Sequence, residues 1–284
     1  MSILTKCKIT ILCENVVGNH ACMGEHGFAV HISTENGSYL FDTGSGMGIL
    51  YNSLVLKKDL TSIKKIFLSH GHYDHTGGLA SVLDMTGPVD VHGHQAIFDE
   101  KYVVSEENGR EKMRFIGIPH SRTLLESKGS RFHFNTGFEE IEKNIYMTGE
   151  IPRLTKFETG DSRLHVKKDD RLIKDTVPDD QALVLSTKKG VVVLLGCTHS
   201  GIVNTLWHVS RQLKNESFYA VIGGTHLGFI EEEQLRHTMN VLEEIDIRLI
   251  GLSHCTGLAI AHNLSREFGD RVSYASAGSV FDIE

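Results

Sequence analysis

Four side chains able to ligate a metal lie within six residues: His70, His72, Asp74 and His75, in the run His-Gly-His-Tyr-Asp-His. In an extended segment His70 and His72 point to the same side, so their imidazoles can share one ion. Asp74 and His75 come as the chain turns and face a second position. A nitrogen pair beside a mixed nitrogen–oxygen pair suits zinc, one ion or two, with manganese or iron as alternatives. The competing reading is a surface histidine cluster that only solvates a loop. The flanks weigh against it. Ile66-Phe67-Leu68-Ser69 is an apolar, strand-like run, and Thr76-Gly77-Gly78 turns into a helical pattern beginning at Leu79. Rigid elements on both sides hold side chains in place.

The same layout recurs three times in the second half. Val191-Val192-Val193-Leu194-Leu195 ends in Gly196-Cys197-Thr198-His199 before a helix that begins near Ile202. The run 218–222 ends in Gly223-Gly224-Thr225-His226 before a helix over 231–244. The run 247–252 ends in Ser253-His254-Cys255 before a helix over 258–267. Strand ends on one edge of a sheet face one crevice, so these histidines are expected to meet the His70–His75 loop.

The first half supplies the other sheet. Residues 8–14 read as a strand, and 28–33 and 38–41 as a hairpin around Glu35-Asn36-Gly37. The hairpin ends in Asp42-Thr43-Gly44, where the Asp can N-cap a helix over 47–58. His20 and His26, in the loop 15–27, read as inert. His92-Gly93-His94 closes a short strand without a following Asp-His, which makes His94 a pocket-wall residue and not a ligand. Residues 95–175 read as a loop-rich insertion with short strands at 132–134 and 145–147, with 102–114 exposed and 161–175 a mobile charged loop. Within it, Glu150 and Arg153 flank Pro152. This rigid turn could present a guanidinium to a phosphate, with Lys156 nearby, or be a surface turn with a salt bridge. Halves 1–145 and 176–284 each run strands then helices, which predicts two face-to-face sheets with helices outside, an α/β sandwich in one domain over 1–284.

Bulk chemistry narrows the partners. The chain has 29 basic and 36 acidic residues, a formal charge of −7, which disfavours nucleic acid and anionic membrane surfaces. Five cysteines (Cys7, Cys13, Cys22, Cys197 and Cys255) form no CxxC pair, which fits a reducing compartment. Lys6 and Lys8 interrupt the N-terminus, no apolar signal-type run follows, and no window nears the roughly 18 apolar residues of a membrane span. A cytoplasmic protein is expected, with a small molecule as its partner. The hairpin strands and the 95–175 loops are candidates for a homodimer contact.

His-Gly-His-Tyr-Asp-His resembles the signature of the metallo-β-lactamase superfamily. Thr-Gly-Glu-Ile-Pro-Arg (148–153), Asp-Asp-Gln-Ala-Leu (179–183), Gly-Cys-Thr-His-Ser-Gly-Ile-Val-Asn-Thr (196–205), Gly-Gly-Thr-His-Leu (223–227) and His-Cys-Thr-Gly (254–257) extend the likeness. Together they resemble the branch named for 7,8-dihydropterin-6-yl-methyl-4-(β-D-ribofuranosyl)aminobenzene 5′-phosphate synthase. The resemblance implies an αββα sandwich with the metal between the sheets. It implies His70 and His72 on a first metal, Asp74, His75 and His254 on a second, His199 as the remaining ligand, and Asp42 supporting the loop. Many members carry a bridging Asp where this chain has Cys197. Cys197 is therefore a thiolate ligand or a buried apolar cysteine. Related hydrolases carry a His within 177–181, for which Asp180 is the substitute here. His226 is a pocket residue able to donate a proton, and Cys255 is expected to pack away from the metal.

Three functions follow. A metal-activated water would hydrolyse an ester or phosphoester, oriented by Asp74. Alternatively, the branch implies a transferase that joins a dihydropterin-methyl diphosphate to ribofuranosylaminobenzene 5′-phosphate and releases diphosphate, with Arg153 and Lys156 as candidates for a phosphate-binding wall; Arg153, His94 and Glu150 are the substrate residues expected for either reaction. A non-catalytic metal-binding protein would need a closed ligand shell.

Overall fold

The computed structural model describes residues 3–215 and 217–283. In chain order the strands begin with β1 (Cys7–Cys13), β2 (Ala29–Thr34), β3 (Gly37–Phe41), β4 (Ile63–Phe67), β5 (Val89–Gly93), β6 (Glu100–Glu107), β7 (Arg110–Phe115), β8 (Ser130–Phe134) and β9 (Glu139–Glu142). There follow β10 (Ile145–Met147), β11 (Leu164–Lys168), β12 (Arg171–Lys174), β13 (Ala182–Thr187), β14 (Gly190–Leu195), β15 (Ser217–Gly224), β16 (Asp246–Ser253), β17 (Val272–Tyr274) and β18 (Val280–Asp282). The α-helices are α1 (Ile49–Val55), α2 (Tyr73–Thr76), α3 (Leu79–Thr86), α4 (Arg122–Ser127), α5 (Ile202–Leu213), α6 (Glu232–Glu244) and α7 (Leu258–Phe268).

Two seven-stranded sheets form, in the orders β18-β1-β2-β3-β4-β5-β8 and β17-β16-β15-β14-β13-β10-β9. Strand periodicity explains the layers. Leu183 and Leu185 of β13, and Val192 and Leu194 of β14, point inward onto Ile9, Ile11, Val30, Ile32 and Phe41 of the first sheet. Their neighbours Val184, Val191 and Val193 point outward onto Val203, Leu206, Leu242 and Leu264 of α5, α6 and α7. Both faces of these strands are covered, so they read as continuous apolar runs without alternation. On the other side Leu40, Ile66 and Leu68 pack against Ile49, Leu79 and Leu83 of α1 and α3. The layers are αββα. Among the described residues no helix is long and apolar enough to cross a membrane.

The loop-rich reading of 95–175 is corrected in part: the short strands expected at 132–134 and 145–147 form as β8 and β10, but the segment holds more regular structure than these. β6, β7, β11 and β12 build a third sheet, in the order β12-β11-β6-β7. Its outer strands β7 and β12 are exposed along their whole length, so they lack the half-buried alternation that marks a strand in sequence. The charged segment 161–175 is mostly this sheet's second hairpin, β11–β12. Asp42 does not cap α1, whose N-cap is Gly48.

Two histidines buried in the first sheet predict an acid limit. Burial, aided by nearby cationic groups, holds His31 and His92 down to about 4. The unfolded chain takes these protons near its ordinary value of about 6.5, so their stabilising contribution is complete above that pH and is lost as pH falls towards 4. Denaturant midpoints should drop between pH 7 and 5, and the drop should be shallower in a His31→Gln/His92→Gln variant. Parallel curves for the two proteins would refute this.

Candidate metal centre

The donors come from loops after β4, β14, β15 and β16, and sharp turns there and after β3 aim them inward. Asp42, Thr198, His226 and His254 follow β3, β14, β15 and β16, and all have positive φ, 59°, 56°, 56° and 51°. Left-handed backbone is unusual outside glycine, and its concentration here reverses the chain as each strand ends. Gly196 is needed for contact, because a Cβ there would collide with the Ser69 side chain from the opposite sheet.

Two donor groups converge. In the first, His70 Nε2 lies 3.0 Å from His72 Nδ1 and 3.3 Å from His199 Nε2. In the second, His75 Nε2 lies 3.1 Å from Cys197 Sγ and 3.2 Å from His254 Nε2, and Asp74 Oδ2 lies 3.3 Å from His254 Nε2. Cys197 belongs to both, since His70, Cys197 and His199 also place ligand atoms within 4.8 Å of one another. Ligand atoms about 2.0–2.1 Å from a tetrahedral zinc lie roughly 3.3–3.4 Å apart, so both groups have the spacing of a coordination shell. Protonation fits in the first group. Burial and the mutual repulsion of the neighbouring imidazoles push His70 and His199 well down, and burial with Lys101 pushes His72 to about 3. All three are neutral with free lone pairs, the state a metal requires. Burial opposes charge on His75 too, but Asp42 and Asp74 overcome it and raise it to about 9.

A surrounding shell orients these ligands. Asp42 Oδ2 accepts from His75 Nδ1 at 2.7 Å, and Asp42 also accepts from the Ser69 amide and hydroxyl, each at 2.7 Å. This fixes which His75 nitrogen faces the metal position. The Gly71 amide donates to Asp179 at 2.8 Å, and Asp179 is paired with buried Lys101 at 2.7 Å. Asp180 accepts from the Ser200 amide at 2.8 Å and so steadies the loop that carries His199. Asn15 Oδ1 accepts from His254 Nδ1 at 2.9 Å.

The residues expected for substrate lie elsewhere. Arg153 donates to the carbonyls of His199 at 3.0 Å and Thr176 at 2.7 Å, so its guanidinium braces the chain. His94 accepts from the Ala96 amide and faces Glu150 at 3.2 Å. None of the three lines the cleft over the donors, which has a volume of about 160 Å³. That cleft is walled by Tyr73, Arg114, Arg163, Phe229, His226 and His26. His26, read as inert, lies 3.3 Å from Asp74 Oδ2. Cys255, expected to pack away, shares a donor group with Cys197 and His226, and its Sγ accepts from the His226 amide at 3.2 Å. Burial opposes ionising either thiol, and of the two Cys255 is the one pulled down, by Cys197 and His226. His226 is buried against ionisation, but Asp161, 3.6 Å away, and Cys255 raise it to about 9.

The fold and the paired donor groups define a metal-dependent enzyme, and residues 24–213 match the metallo-β-lactamase superfamily. The chain belongs to that superfamily. It is 29% identical over 286 residues to 7,8-dihydropterin-6-methyl-4-(β-D-ribofuranosyl)-aminobenzene-5′-phosphate synthase of Methanocaldococcus jannaschii, covering 96% of this chain and 95% of the relative. An uncharacterised protein of the same archaeon is 30% identical over 262 residues, covering 91% and 94%. The crystal structure of Tm1679, described as a metal-dependent hydrolase of the β-lactamase superfamily, is 28% identical with a TM-score of 0.83, covering 97% and 98%. Zn²⁺-bound PqqB from Methylobacterium extorquens shares the fold, with a TM-score of 0.58 at 9% identity over 97% and 99% of the two chains.

Proposed function

We propose that the chain is a transferase that joins the methylene carbon of a dihydropterin-methyl diphosphate to an aryl ribofuranosyl phosphate, releasing diphosphate. The observation that carries this reading is the cationic wall that Arg114 and Arg163 give the cleft directly over the two donor groups, which suits a phosphorylated substrate. A thiolate at Cys197 would carry the one negative charge of the bridging carboxylate it replaces, so the paired site keeps a charge balance that suits a Lewis-acid template. The synthase relative supports the choice of substrates. Zinc, or manganese or iron, bound by His70, His72 and His199 and by Asp74, His75, His254 and Cys197 would supply Lewis acidity and charge neutralisation.

The remaining work falls to the chain. Arg114 lines the cleft beside Tyr73 and has no carboxylate partner among the described residues, so it takes the phosphate role expected of Arg153. His226, held protonated by Asp161, can donate to the departing diphosphate. The carbon–oxygen bond to diphosphate breaks with its electron pair, the acceptor bonds to the methylene carbon, and the acceptor's proton passes to solvent. An open cleft over the donors argues against a purely metal-storing role.

Hydrolysis is the second reading, supported by the description of Tm1679 and by Asp74 at the cleft floor, where it can orient a water. One assay separates the two: metal-loaded protein with dihydropterin-methyl diphosphate, with and without the aryl acceptor. Diphosphate release should require the acceptor, and His226→Asn should lower kcat by about a hundredfold at unchanged KM. Acceptor-independent release would identify a hydrolase.

A further inference from the structure

The second donor group is also held from the first strand. Glu14 and Asn15 follow directly on β1 and reach His254 twice. Glu14 Oε1 accepts from the His254 amide, and Asn15 Oδ1 accepts from His254 Nδ1 at 2.9 Å. The same Asn15 side chain turns its Nδ2 to His26 Nδ1 at 3.4 Å. His26 Nε2 lies 3.3 Å from Asp74 Oδ2, and Asp74 Oδ2 lies 3.3 Å from His254 Nε2. His254, Asn15, His26 and Asp74 therefore close a ring beside the cleft. His26, Asp74 and His254 also place ligand atoms within 4.8 Å of one another, so distance alone admits His26 as a further ligand.

Proton positions decide against it. His254 turns Nε2 to the other donors, so its proton sits on Nδ1 and needs an acceptor. Asn15 Oδ1 is that acceptor, which leaves the amide NH₂ facing His26. An NH₂ donates and never accepts, so His26 Nδ1 must offer a lone pair and the ring proton lies on Nε2. A nitrogen that carries a proton has no lone pair for a metal. We propose that Asn15 is a positioning residue for the second metal position: one amide fixes the His254 tautomer and holds His26 outside the ligand shell, as a hydrogen-bond donor to Asp74 Oδ2. The His26 bond fixes the rotation of the Asp74 carboxylate, and the exposed ring walls the cleft without occupying the metal. The inference rests on the paired donor groups and not on the reaction proposed above, so it holds for transfer and for hydrolysis alike.

The test reads ring nitrogens and metal affinity, not turnover. Full-length protein carrying ¹⁵N-histidine is loaded with ¹¹³Cd²⁺, and scalar coupling to cadmium marks each ligated nitrogen. His75 and His254 should couple through Nε2. His26 should show no coupling, a proton on Nε2 and a bare Nδ1. In parallel, Zn²⁺ is titrated against a chromophoric chelator. Asn15→Ala should weaken the second equivalent by about 10–100-fold and leave the first unchanged. Asn15→Asp restores an acceptor for His254 Nδ1 and should recover the second equivalent, while its other oxygen draws a proton onto His26 Nδ1. Recovery by Asp and not by Ala separates positioning from lost packing. Cadmium coupling at His26 in the wild type would overturn the proposal. So would equal second-equivalent affinity in wild type and Asn15→Ala, or no proton on His26 Nδ1 in Asn15→Asp. A wild type that takes up fewer than two equivalents removes the paired centre and this inference with it, whereas two equivalents with any of those three results sinks the inference alone.

Discussion

Lys101→Met is expected to destabilise the protein by about 3–5 kcal/mol, the cost of breaking a buried ion pair from one side. Lys101 is fully buried, with Nζ 2.7 Å from Asp179 and 3.1 Å from Asp175. Burial opposes its charge, but the two aspartates hold the ammonium protonated. A methionine fills similar volume and leaves both carboxylates uncompensated. The damage reaches the metal loop, because Asp179 also accepts from the Gly71 amide between His70 and His72. Urea unfolding should show the loss, and Lys101→Met/Asp175→Asn/Asp179→Asn should recover part of it. A single variant within 1 kcal/mol of wild type would contradict the assigned role.

Asp42→Asn is expected to lower metal affinity by about 10–100-fold while leaving the fold intact. Asn tolerates the positive φ at this position. Its amide, however, cannot replace the carboxylate that accepts from both Ser69 donors and from His75. An amide NH₂ turned to His75 Nδ1 would favour the opposite tautomer and point a proton at Cys197 and His254. Competition against a chromophoric chelator measures the effect. Unchanged affinity would mean that His75 is oriented by packing alone.

The convergence of these side chains was legible because its signals are local. His70, His72, Asp74 and His75 lie in one short run, and His199, His226 and His254 each follow an apolar strand. The residues that shape the cleft were not legible, for identifiable reasons. Strand logic sends adjacent side chains to opposite faces, which argued Cys255 outward. Residues 254–256 instead form a 3₁₀ turn after the positive φ of His254, and both side chains face the centre. His26 reaches Asp74 because the Phe28 amide bonds the Asp74 carbonyl, a contact across 46 residues that no local pattern encodes. Arg114 sits on β7, a strand exposed throughout and therefore without alternation. Arg153 was recognised as a guanidinium on a rigid turn, but the carbonyls of His199 and Thr176 that claim it come from distant loops.

The central claim is a two-position metal centre joined through Cys197. Its most direct test is elemental analysis of metal per chain, on protein purified without chelator, alongside His70→Ala, His254→Ala and Cys197→Ser. Two equivalents of zinc, manganese or iron in the wild type, falling towards one in each histidine variant and below two in Cys197→Ser, are predicted. A wild type that holds no metal and takes up none of these ions, or a Cys197→Ser protein that keeps both equivalents at full affinity, would contradict it.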